Sequence, residues 1–392
     1  MKDALKAITG ADILTPDGVR PECALLYRAD RIEAVMPEAE MPADTRITHL
    51  DGGMLAPGFV DLQVNGGGGV MFNNAPELST LRRMAEAHAH IGATSILPTL
   101  ITDTPDVVSR AIDATVQAIS EGVAGIAGLH LEGPHLSHKR KGAHDDTLIR
   151  PMEDADLTQL LDAAERLPVL KVTVAPESVS PAQIEALKEA GVLVSLGHTD
   201  ATFEDCQAAV SAGARCVTHL FNAQSQMGNR EPGVVGAVLA LGELSAGLIA
   251  DGIHVHAASL RNALCAKAGP GRIFLVSDAM ATAGSDIATF RLNSREIRRR
   301  GDRLTLTDGT LAGAHLELIS AVHNVAGMAD LPIEAALDMA TRIPADLIGQ
   351  SHLGRLEPGA QADFLHLCQS KDLLRVWQLG EVRFAAGGAS HH

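Results

Sequence analysis

Aromatic side chains and cysteines are both scarce in this chain of 392 residues. Aromatic residues make up 3% of the sequence, which argues against the base-stacking platforms of proteins that bind single-stranded nucleic acid. The cysteines are odd in number, scattered and without C-x-x-C spacing, so we expect reduced thiols rather than a disulfide framework or a zinc knuckle. They are Cys23, Cys206, Cys216, Cys265 and Cys368.

Long apolar segments and an excess of positive charge are also absent. No stretch approaches the roughly 18 uncharged residues of a membrane span, and the start of the chain holds no continuous apolar segment of signal-peptide length. We therefore predict a cytoplasmic protein without a membrane partner. The net charge of −16 argues against nucleic acid as a general partner, so an anionic substrate must find a local cationic pocket.

The chain is rich instead in apolar runs of strand length, and 46% of its residues are hydrophobic. Most of the eight runs between Leu55 and Asp278 are followed by a segment with helical periodicity. Strands that alternate with helices pair in parallel, and eight such units predict an α/β fold with a closed, TIM-like (β/α)8 barrel. The runs cover residues 58–64, 94–99, 125–131, 170–175, 192–196, 215–218, 246–250 and 273–277.

Shorter strand-like runs, separated by turn residues, occupy both ends of the chain. Pro57 and Pro358, each followed by glycine, mark the two crossings between these ends and the region of the eight runs. We predict that residues 1–54 and 356–392 pair into one small β-sandwich domain, and that residues 55–355 form the catalytic barrel.

Four of the apolar runs stop on a residue that can hold a metal or move a proton: Glu132, His198, His219 and Asp278. In a parallel barrel these strand ends converge on the C-terminal rim. A catalytic zinc typically has three protein ligands drawn from histidines and carboxylates, so we predict that Glu132, His198 and His219 hold a metal ion. The alternative for each residue alone is structural, namely a carboxylate paired with a lysine or arginine, or a core histidine.

Asp278 ends the eighth run, where its carboxylate can face the same centre. A metal lowers the pKa of a bound water from ~15.7 toward ~7, and a neighbouring carboxylate can then take the proton. We therefore predict that Asp278 is the general base. A fourth metal ligand and a helix N-cap before Ala279 are the alternatives.

Eight short motifs follow one another along nearly the whole chain, and their combination is specific although each is weak alone. They cover residues 59–66, 130–134, 141–144, 196–199, 218–223, 230–233, 251–254 and 277–280. Together they resemble the N-acetylglucosamine-6-phosphate deacetylase family of the amidohydrolase superfamily. The resemblance implies a metal-dependent hydrolase that converts N-acetylglucosamine 6-phosphate to glucosamine 6-phosphate and acetate in amino-sugar catabolism or recycling.

The resemblance also implies where the substrate binds. Arg230 would reach the phosphate in the active site of a neighbouring subunit, which implies a homodimer; a surface salt bridge with Glu231 is the alternative. His144 and His254 would contact sugar hydroxyls or the amide. The substrate-binding residues implied in this way are Gln63, Ala143, His144, Asn222, Ala223, Arg230, His254, Leu311, Ala312 and Gly313.

Gln63 and Asn65 depart from the wider superfamily, in which the first strand usually carries His-x-His for a second metal. Residues two apart on a strand share a face, and amide oxygens are poorer transition-metal ligands than imidazoles. We therefore predict one divalent ion per subunit, with zinc as the first choice and iron, manganese or cobalt as alternatives. In the implied mechanism Asp278 deprotonates the attacking water and then protonates the leaving amine, while the metal, with His144 or His254 as further candidates, stabilises the oxyanion.

The sequence leaves two other functions and two local features open. The same site could act on another amide, such as a dihydropyrimidine or an N-acyl amino acid, or the barrel could be a metal-free binding protein. The loop at residues 135–141 is either a solvated basic loop or a cationic patch that draws in a phosphorylated substrate. The residues at 227–229, before Arg230, differ from the histidines that relatives often have, which leaves tolerance for other N-acyl groups or sugar epimers open.

Overall fold

The computed structural model describes residues 4–293 and 295–386 of the chain. Seven strands precede the barrel: β1 (Lys6–Thr9), β2 (Asp12–Thr15), β3 (Gly18–Arg20), β4 (Cys23–Arg28), β5 (Arg31–Pro37), β6 (Arg46–His49) and β7 (Met54–Pro57). The sequence patterns do not predict β1, β3 or β7. These strands have three or four residues each, and the neighbours they pair with determine them more than an alternating pattern of their own.

The next ten strands are β8 (Phe59–Val64), β9 (Gly66–Gly67), β10 (Val70–Met71), β11 (Ala93–Ile101), β12 (Leu129–Glu132), β13 (Leu170–Val174), β14 (Leu193–Leu196), β15 (Cys216–Val217), β16 (Ser245–Leu248) and β17 (Ile273–Leu275). All of them except the β9–β10 hairpin pair in parallel, in chain order from β8 to β17. Val64 also bridges Ala279, and the backbone N–H of Asn65 donates to the Ala279 carbonyl at 2.8 Å. These contacts join the first strand to the end of the last, so the predicted (β/α)8 barrel is confirmed.

The third barrel strand departs most from its predicted bounds. β12 begins at Leu129, four residues later than the apolar run at 125–131 suggests. Gly125 has a φ of 90°, in the left-handed region, and this interrupts an extended backbone. Before Leu129, the run pairs with β11 only through an isolated bridge between Ile126 and Ile96.

Helices alternate with the barrel strands and two more follow: α1 (Leu78–His90), α2 (Pro105–Ser120), α3 (Asp154–Arg166), α4 (Pro181–Glu189), α5 (Phe203–Ala212), α6 (Gly233–Ala240), α7 (Ala257–Ala266), α8 (Leu318–Ala329), α9 (Ile333–Ala340) and α10 (Arg342–Leu347). Short 3₁₀ helices lie at Glu38–Glu40 and His138–Arg140. Ser180 caps α4 and Thr202 caps α5, each through a reciprocal capping box, which explains why their starts are readable from sequence. Within the described residues, no helix combines the length and the apolar character needed to cross a bilayer.

A small antiparallel sheet interrupts the chain between β17 and α8. Its strands are β18 (Thr289–Leu292), β19 (Arg295–Arg300) and β20 (Arg303–Leu306). Leu292, Ile297 and Leu304 are buried in one cluster with Met280 and Met71, from the barrel rim. This sheet therefore packs against the C-terminal rim, where the strand ends lie.

Three strands complete the fold: β21 (Phe364–Leu367), β22 (Leu373–Gln378) and β23 (Glu381–Ala385). Both chain ends share a six-stranded sheet in the order β23-β22-β21-β7-β2-β3, and a second sheet has the order β5-β4-β1-β6. Ile8 and Leu25 of the second sheet are buried in one cluster with Ile13, Phe364 and Trp377 of the first. The two sheets thus form the predicted β-sandwich, while the proposed domain boundaries themselves stay a prediction.

Candidate metal-dependent active site

Three side chains of metal-ligand type meet at the C-terminal rim of the barrel. The Nε2 atoms of His198 and His219 lie 3.0 Å from each other, and each lies 3.0 Å from Oε1 of Glu132. All three residues are buried. Donors placed tetrahedrally around one zinc ion at bond lengths of ~2.0–2.1 Å would be roughly 3.3 Å apart, so the observed spacing fits a single small divalent ion.

The surroundings of this cluster suit ligation as well. The Nδ1–H of His198 donates to the backbone carbonyl of Arg140 at 2.8 Å, which leaves the lone pair of Nε2 for the cluster. Glu132 has no lysine or arginine partner within the described chain, contrary to the structural alternative for this residue. Burial opposes ionisation of Glu132, but the adjacent His198 and His219 hold its pKa well below the usual range. Among the described residues, this is the one group of three or more side chains that could hold a metal ion.

The backbone at these strand ends is unusual. His198, His219 and Asp278 have φ values of 47°, 33° and 49°, in the left-handed region that residues with a Cβ seldom adopt. Such conformations cost of order 1–3 kcal/mol each and persist where the surrounding structure holds them, often at functional sites. The turn at each strand end aims the side chain across the barrel mouth.

Asp278 lies beside the cluster and is held by two amides. Its Oδ1 accepts hydrogen bonds from Gln63 Nε2 at 3.0 Å and from Asn65 Nδ2 at 2.8 Å, and Gln63 Nε2 also lies 3.3 Å from Glu132 Oε2. Burial raises the pKa of Asp278, and the negative charge of Glu132 raises it further. The N-cap alternative for Asp278 is wrong, because the next regular element after it is the strand β18, not a helix.

A cavity of about 280 Å³ opens onto these groups. It is lined by most of the residues named from sequence, including Asn65, and also by Ile101, Ile249, Met280 and Thr310. The predicted residues that line it are Glu132, Ala143, His144, His198, His219, Asn222, Ala223, His254, Asp278, Leu311 and Gly313.

Three of the predicted substrate-binding residues do not line the cavity. Gln63 and Ala312 are fully buried beneath its wall. Arg230 is exposed, and the alternative of a salt bridge to Glu231 is not observed, since Glu231 Oε1 accepts instead from the backbone N–H groups of Phe203 and Gly233. Arg230 therefore makes no contribution to the cavity of its own chain.

Two residues that the sequence reasoning passed over contact the cavity histidines directly. Thr102 Oγ1 lies 2.7 Å from His144 Nδ1, and Asp251 Oδ2 lies 2.6 Å from His254 Nδ1. The spacing of Asp251 and His254 at i and i+3 after a barrel strand was a usable signal for that pair. Arg295, on β19, donates to the carbonyl of Ala143, and nothing local in the sequence marks this contact between a distant strand and the rim.

The basic loop at residues 135–141 is largely neutralised by neighbouring carboxylates. Lys139 and Arg140 both pair with Asp200, and Lys141 pairs with Asp146. The cationic-patch interpretation thus loses much of its free charge. The solvated basic loop describes only the second half of the segment, because His135 is buried whereas His138, Lys139 and Lys141 are exposed.

The comparison with known proteins agrees with the geometry of the candidate metal site. A model described as the amidohydrolase family matches residues 54–380. The chain is 41% identical over 386 residues to N-acetylgalactosamine-6-phosphate deacetylase of Shewanella sp. (strain ANA-3), a match that covers 98% of this chain and 97% of that protein. It is 33% identical over 361 residues to N-acetylglucosamine-6-phosphate deacetylase of Haemophilus influenzae, covering 91% of this chain and 93% of that protein.

Solved structures of further deacetylases also match this chain. N-acetylglucosamine-6-phosphate deacetylase from Pasteurella multocida matches with a TM-score of 0.92 at 34% identity, over 96% of this chain and 99% of that chain. A mutant of the corresponding enzyme from Mycobacterium smegmatis, in complex with N-acetyl-D-glucosamine-6-phosphate, matches with a TM-score of 0.89 at 30% identity, over 98% of this chain and 100% of that chain.

Proposed function

The chain belongs to the amidohydrolase family, a family of metal-dependent enzymes, and we propose that it removes the acetyl group from N-acetylglucosamine 6-phosphate. The products are glucosamine 6-phosphate and acetate, and the reaction belongs to amino-sugar metabolism. The observation that carries this proposal is the convergence of Glu132, His198, His219 and Asp278 at one cavity, in a chain that matches deacetylases of phosphorylated amino sugars over nearly its whole length.

Glu132, His198 and His219 hold one divalent ion per subunit, with zinc as the first choice. When bound, the ion supplies Lewis-acid polarisation of the amide carbonyl and makes a water molecule acidic enough to lose a proton near neutral pH. The donor set of two imidazoles and one carboxylate suits this ion, and the hydrogen bond from His198 to the Arg140 carbonyl fixes the tautomer that ligation requires.

Asp278 acts first as the general base and then as the general acid. Its Oδ1 is engaged by Gln63 and Asn65, whereas Oδ2 has no hydrogen-bond partner within the described chain. Oδ2 takes the proton of the attacking water as the water adds to the acetamide carbonyl. The same oxygen then gives the proton to the nitrogen of the departing amine, which is necessary because an amide anion is a very poor leaving group.

The substrate phosphate is bound between subunits of a homodimer. Asn222 and the backbone of Ala223 hold it from the cavity wall, and Arg230 reaches it from the neighbouring subunit. This arrangement is supported by the exposure of Arg230 and by its position outside the cavity of its own chain. The proposal includes a cytoplasmic location, where phosphorylated sugars are found and where the five free cysteines would stay reduced.

N-acetylgalactosamine 6-phosphate is the second candidate substrate. The relative with 41% identity carries the name of a deacetylase for that epimer, whereas the Haemophilus relative, named for the glucosamine epimer, is 33% identical. The two sugars differ only in the configuration of one ring hydroxyl, so the metal cluster and Asp278 can act on either substrate.

The test is an assay of acetate release from both sugar phosphates and from unphosphorylated N-acetylglucosamine, before and after chelation of the metal. We expect rapid release from a phosphorylated sugar, much slower release from the unphosphorylated one, and loss of both after chelation with recovery when the ion is restored. The ratio of kcat/KM for the two epimers identifies the physiological one. Hydrolysis of a dihydropyrimidine or an N-acyl amino acid in place of both sugar phosphates would overturn the proposal.

A further inference from the structure

His144 has a hydrogen-bonding pattern that determines which ring nitrogen carries the proton. Its Nδ1 faces two groups of Thr102, the backbone N–H at 3.3 Å and the Oγ1 hydroxyl at 2.7 Å. A backbone N–H can only donate, so Nδ1 must present a lone pair. The ring proton of a neutral His144 therefore lies on Nε2, which is on the cavity side, 4.0 Å from Oε1 of Glu132.

The Thr102 hydroxyl reinforces this tautomer. Its other acceptor, the carbonyl of Glu132, is 3.5 Å away, which is at the limit of hydrogen bonding, so His144 Nδ1 is its main partner. A ring nitrogen that accepts from the Thr102 backbone N–H carries no proton of its own, so the one ring proton of His144 lies on Nε2.

His254 has the opposite arrangement. Oδ2 of Asp251 lies 2.6 Å from its Nδ1, while Oδ1 of Asp251 accepts the backbone N–H groups of Ile253 and His254, both at 2.8 Å. An ionised carboxylate only accepts hydrogen bonds, so the proton lies on Nδ1 of His254. In the neutral ring the remaining nitrogen, Nε2, carries a lone pair. It can accept a hydrogen bond from a group in the cavity that His254 lines.

We propose that Thr102 and Asp251 are positioning residues that hold the two cavity histidines in opposite tautomers, so that His144 offers a hydrogen-bond donor and His254 an acceptor. Resting on the proposed function, this assigns the two partners in an N-acetylhexosamine 6-phosphate. The acetamide carbonyl oxygen, which can only accept, faces His144. A ring hydroxyl next to the acetamide donates to His254.

The two bonds act at different stages of the reaction. Negative charge grows on the carbonyl oxygen as water adds, so the bond from His144 strengthens toward the transition state and affects kcat. The sugar hydroxyl does not change charge, so the bond to His254 contributes equally before and during the reaction and affects KM.

Asp251→Asn is a sharp test because the replacement cannot satisfy the same partners. Its single oxygen is required by the two backbone N–H groups, so the amide NH₂ must face His254. An NH₂ group that donates to Nδ1 forces the ring proton onto Nε2, which reverses the tautomer. For His144, Thr102→Val removes the hydroxyl at nearly constant volume, and Thr102→Ser is the matched control that keeps it.

The first measurement is ¹⁵N NMR of the imidazole nitrogens in histidine-labelled protein loaded with Zn²⁺, which is diamagnetic. In the wild type we expect the proton of His144 on Nε2 and that of His254 on Nδ1. Asp251→Asn should move the His254 proton to Nε2, and Thr102→Val, unlike Thr102→Ser, should shift the Nδ1 resonance of His144. The same tautomer for both rings in the wild type would overturn the proposal.

The second measurement is kinetic. Thr102→Val should lower kcat about tenfold with little change in KM, and Thr102→Ser should restore it. Asp251→Asn should raise KM about tenfold, and the 3-deoxy substrate should lose affinity for the wild type but not for this variant. Equal losses for Thr102→Val and Thr102→Ser, or a deoxy effect unchanged by Asp251→Asn, would contradict the assignment.

The two measurements separate this proposal from the proposed function. The NMR signatures do not depend on any substrate. If the protein shows both tautomers but releases no acetate, only the proposed function is wrong. Acetate release by a protein with the wrong tautomers overturns only the positioning roles of Thr102 and Asp251.

Discussion

Asn65 donates its Nδ2–H to Oδ1 of Asp278 at 2.8 Å. This bond joins the residue after the first barrel strand to a residue beyond the last one, across the line where the barrel closes. Gln63 makes a second bond to the same oxygen at 3.0 Å. The two amides therefore fix the rotation of the carboxylate and leave Oδ2 without a hydrogen-bond partner among the described residues.

Replacement of Asp278 by Asn should abolish turnover, because an amide cannot take a proton from the attacking water. We expect kcat to fall by about 10²–10⁴-fold, the usual contribution of a general base. Metal content should stay near that of the wild type, since Asp278 is outside the predicted ligand set. Acetate release and elemental analysis of the same preparation check both points, and substantial residual activity with full metal content would refute the role.

Asn65→Ala and Gln63→Ala form a matched pair that separates orientation of the base from support of the metal site. Each loses one charge-assisted hydrogen bond to Asp278, worth roughly 1.5–3 kcal/mol, so kcat should fall by about one to two orders of magnitude in both. Gln63 also contacts Glu132, so only Gln63→Ala should weaken metal affinity as well. Titration of the apoproteins with Zn²⁺ would show this difference, and equal affinities would argue against it.

Metal stoichiometry follows from the cluster of Glu132, His198 and His219. Elemental analysis of purified protein should give one equivalent of divalent ion per chain, because the amides of Gln63 and Asn65 stand where a second metal would need stronger ligands. His219→Ala should lose the ion and the activity together. Two equivalents per chain, both needed for activity, would show that the single-ion prediction is wrong.

Arg230 should act in the active site of the neighbouring subunit. Arg230→Ala should lower kcat/KM for the sugar phosphate by about 100-fold, the order expected for a lost pair of charge-assisted hydrogen bonds, and leave the unphosphorylated sugar nearly unaffected. Mixing Arg230→Ala with Asp278→Asn subunits should restore about one quarter of wild-type activity, because half of the dimers then contain one complete site. No recovery after verified subunit exchange would place Arg230 in its own chain's site.

His88 should make the protein less stable at mildly acidic pH. Burial lowers its pKa from 6.5 to about 4, and its Nε2 bonds the carbonyl of Gly66 at 2.9 Å. Between these values the unfolded chain binds a proton that the folded protein excludes, so stability falls as pH drops from about 6.5 toward 4. The loss approaches roughly 3 kcal/mol near pH 4, at about 1.4 kcal/mol per pH unit.

His88→Gln is the control, because the glutamine amide can donate to the same carbonyl without titrating. We expect the difference in Tm between wild type and variant to move in favour of the variant between about pH 7 and about pH 4.5. Parallel loss of Tm in the two proteins over this range would mean that His88 does not cause the effect.

Much of the fold was predictable because it repeats. The apolar run at 170–175 became β13 (Leu170–Val174) and that at 192–196 became β14 (Leu193–Leu196), since buried parallel strands need continuous apolar residues. The sequence pattern did not predict β1, β3 and β7, because a strand of three or four residues in a mixed sheet depends on its neighbours more than on its own pattern.

The chemical identity of the site was determined by the sequence itself. Strand ends that carry Glu132, His198, His219 and Asp278 must meet in a closed parallel barrel, so their types and order were sufficient to predict a metal site with an acid–base group. The tertiary structure alone decided how these groups are held. The bonds of Asn65 to Asp278, Thr102 to His144 and Arg295 to Ala143 join residues 213, 42 and 152 positions apart. No local pattern encodes such contacts, because hydrogen-bond direction and tautomer depend on where the backbone places both partners.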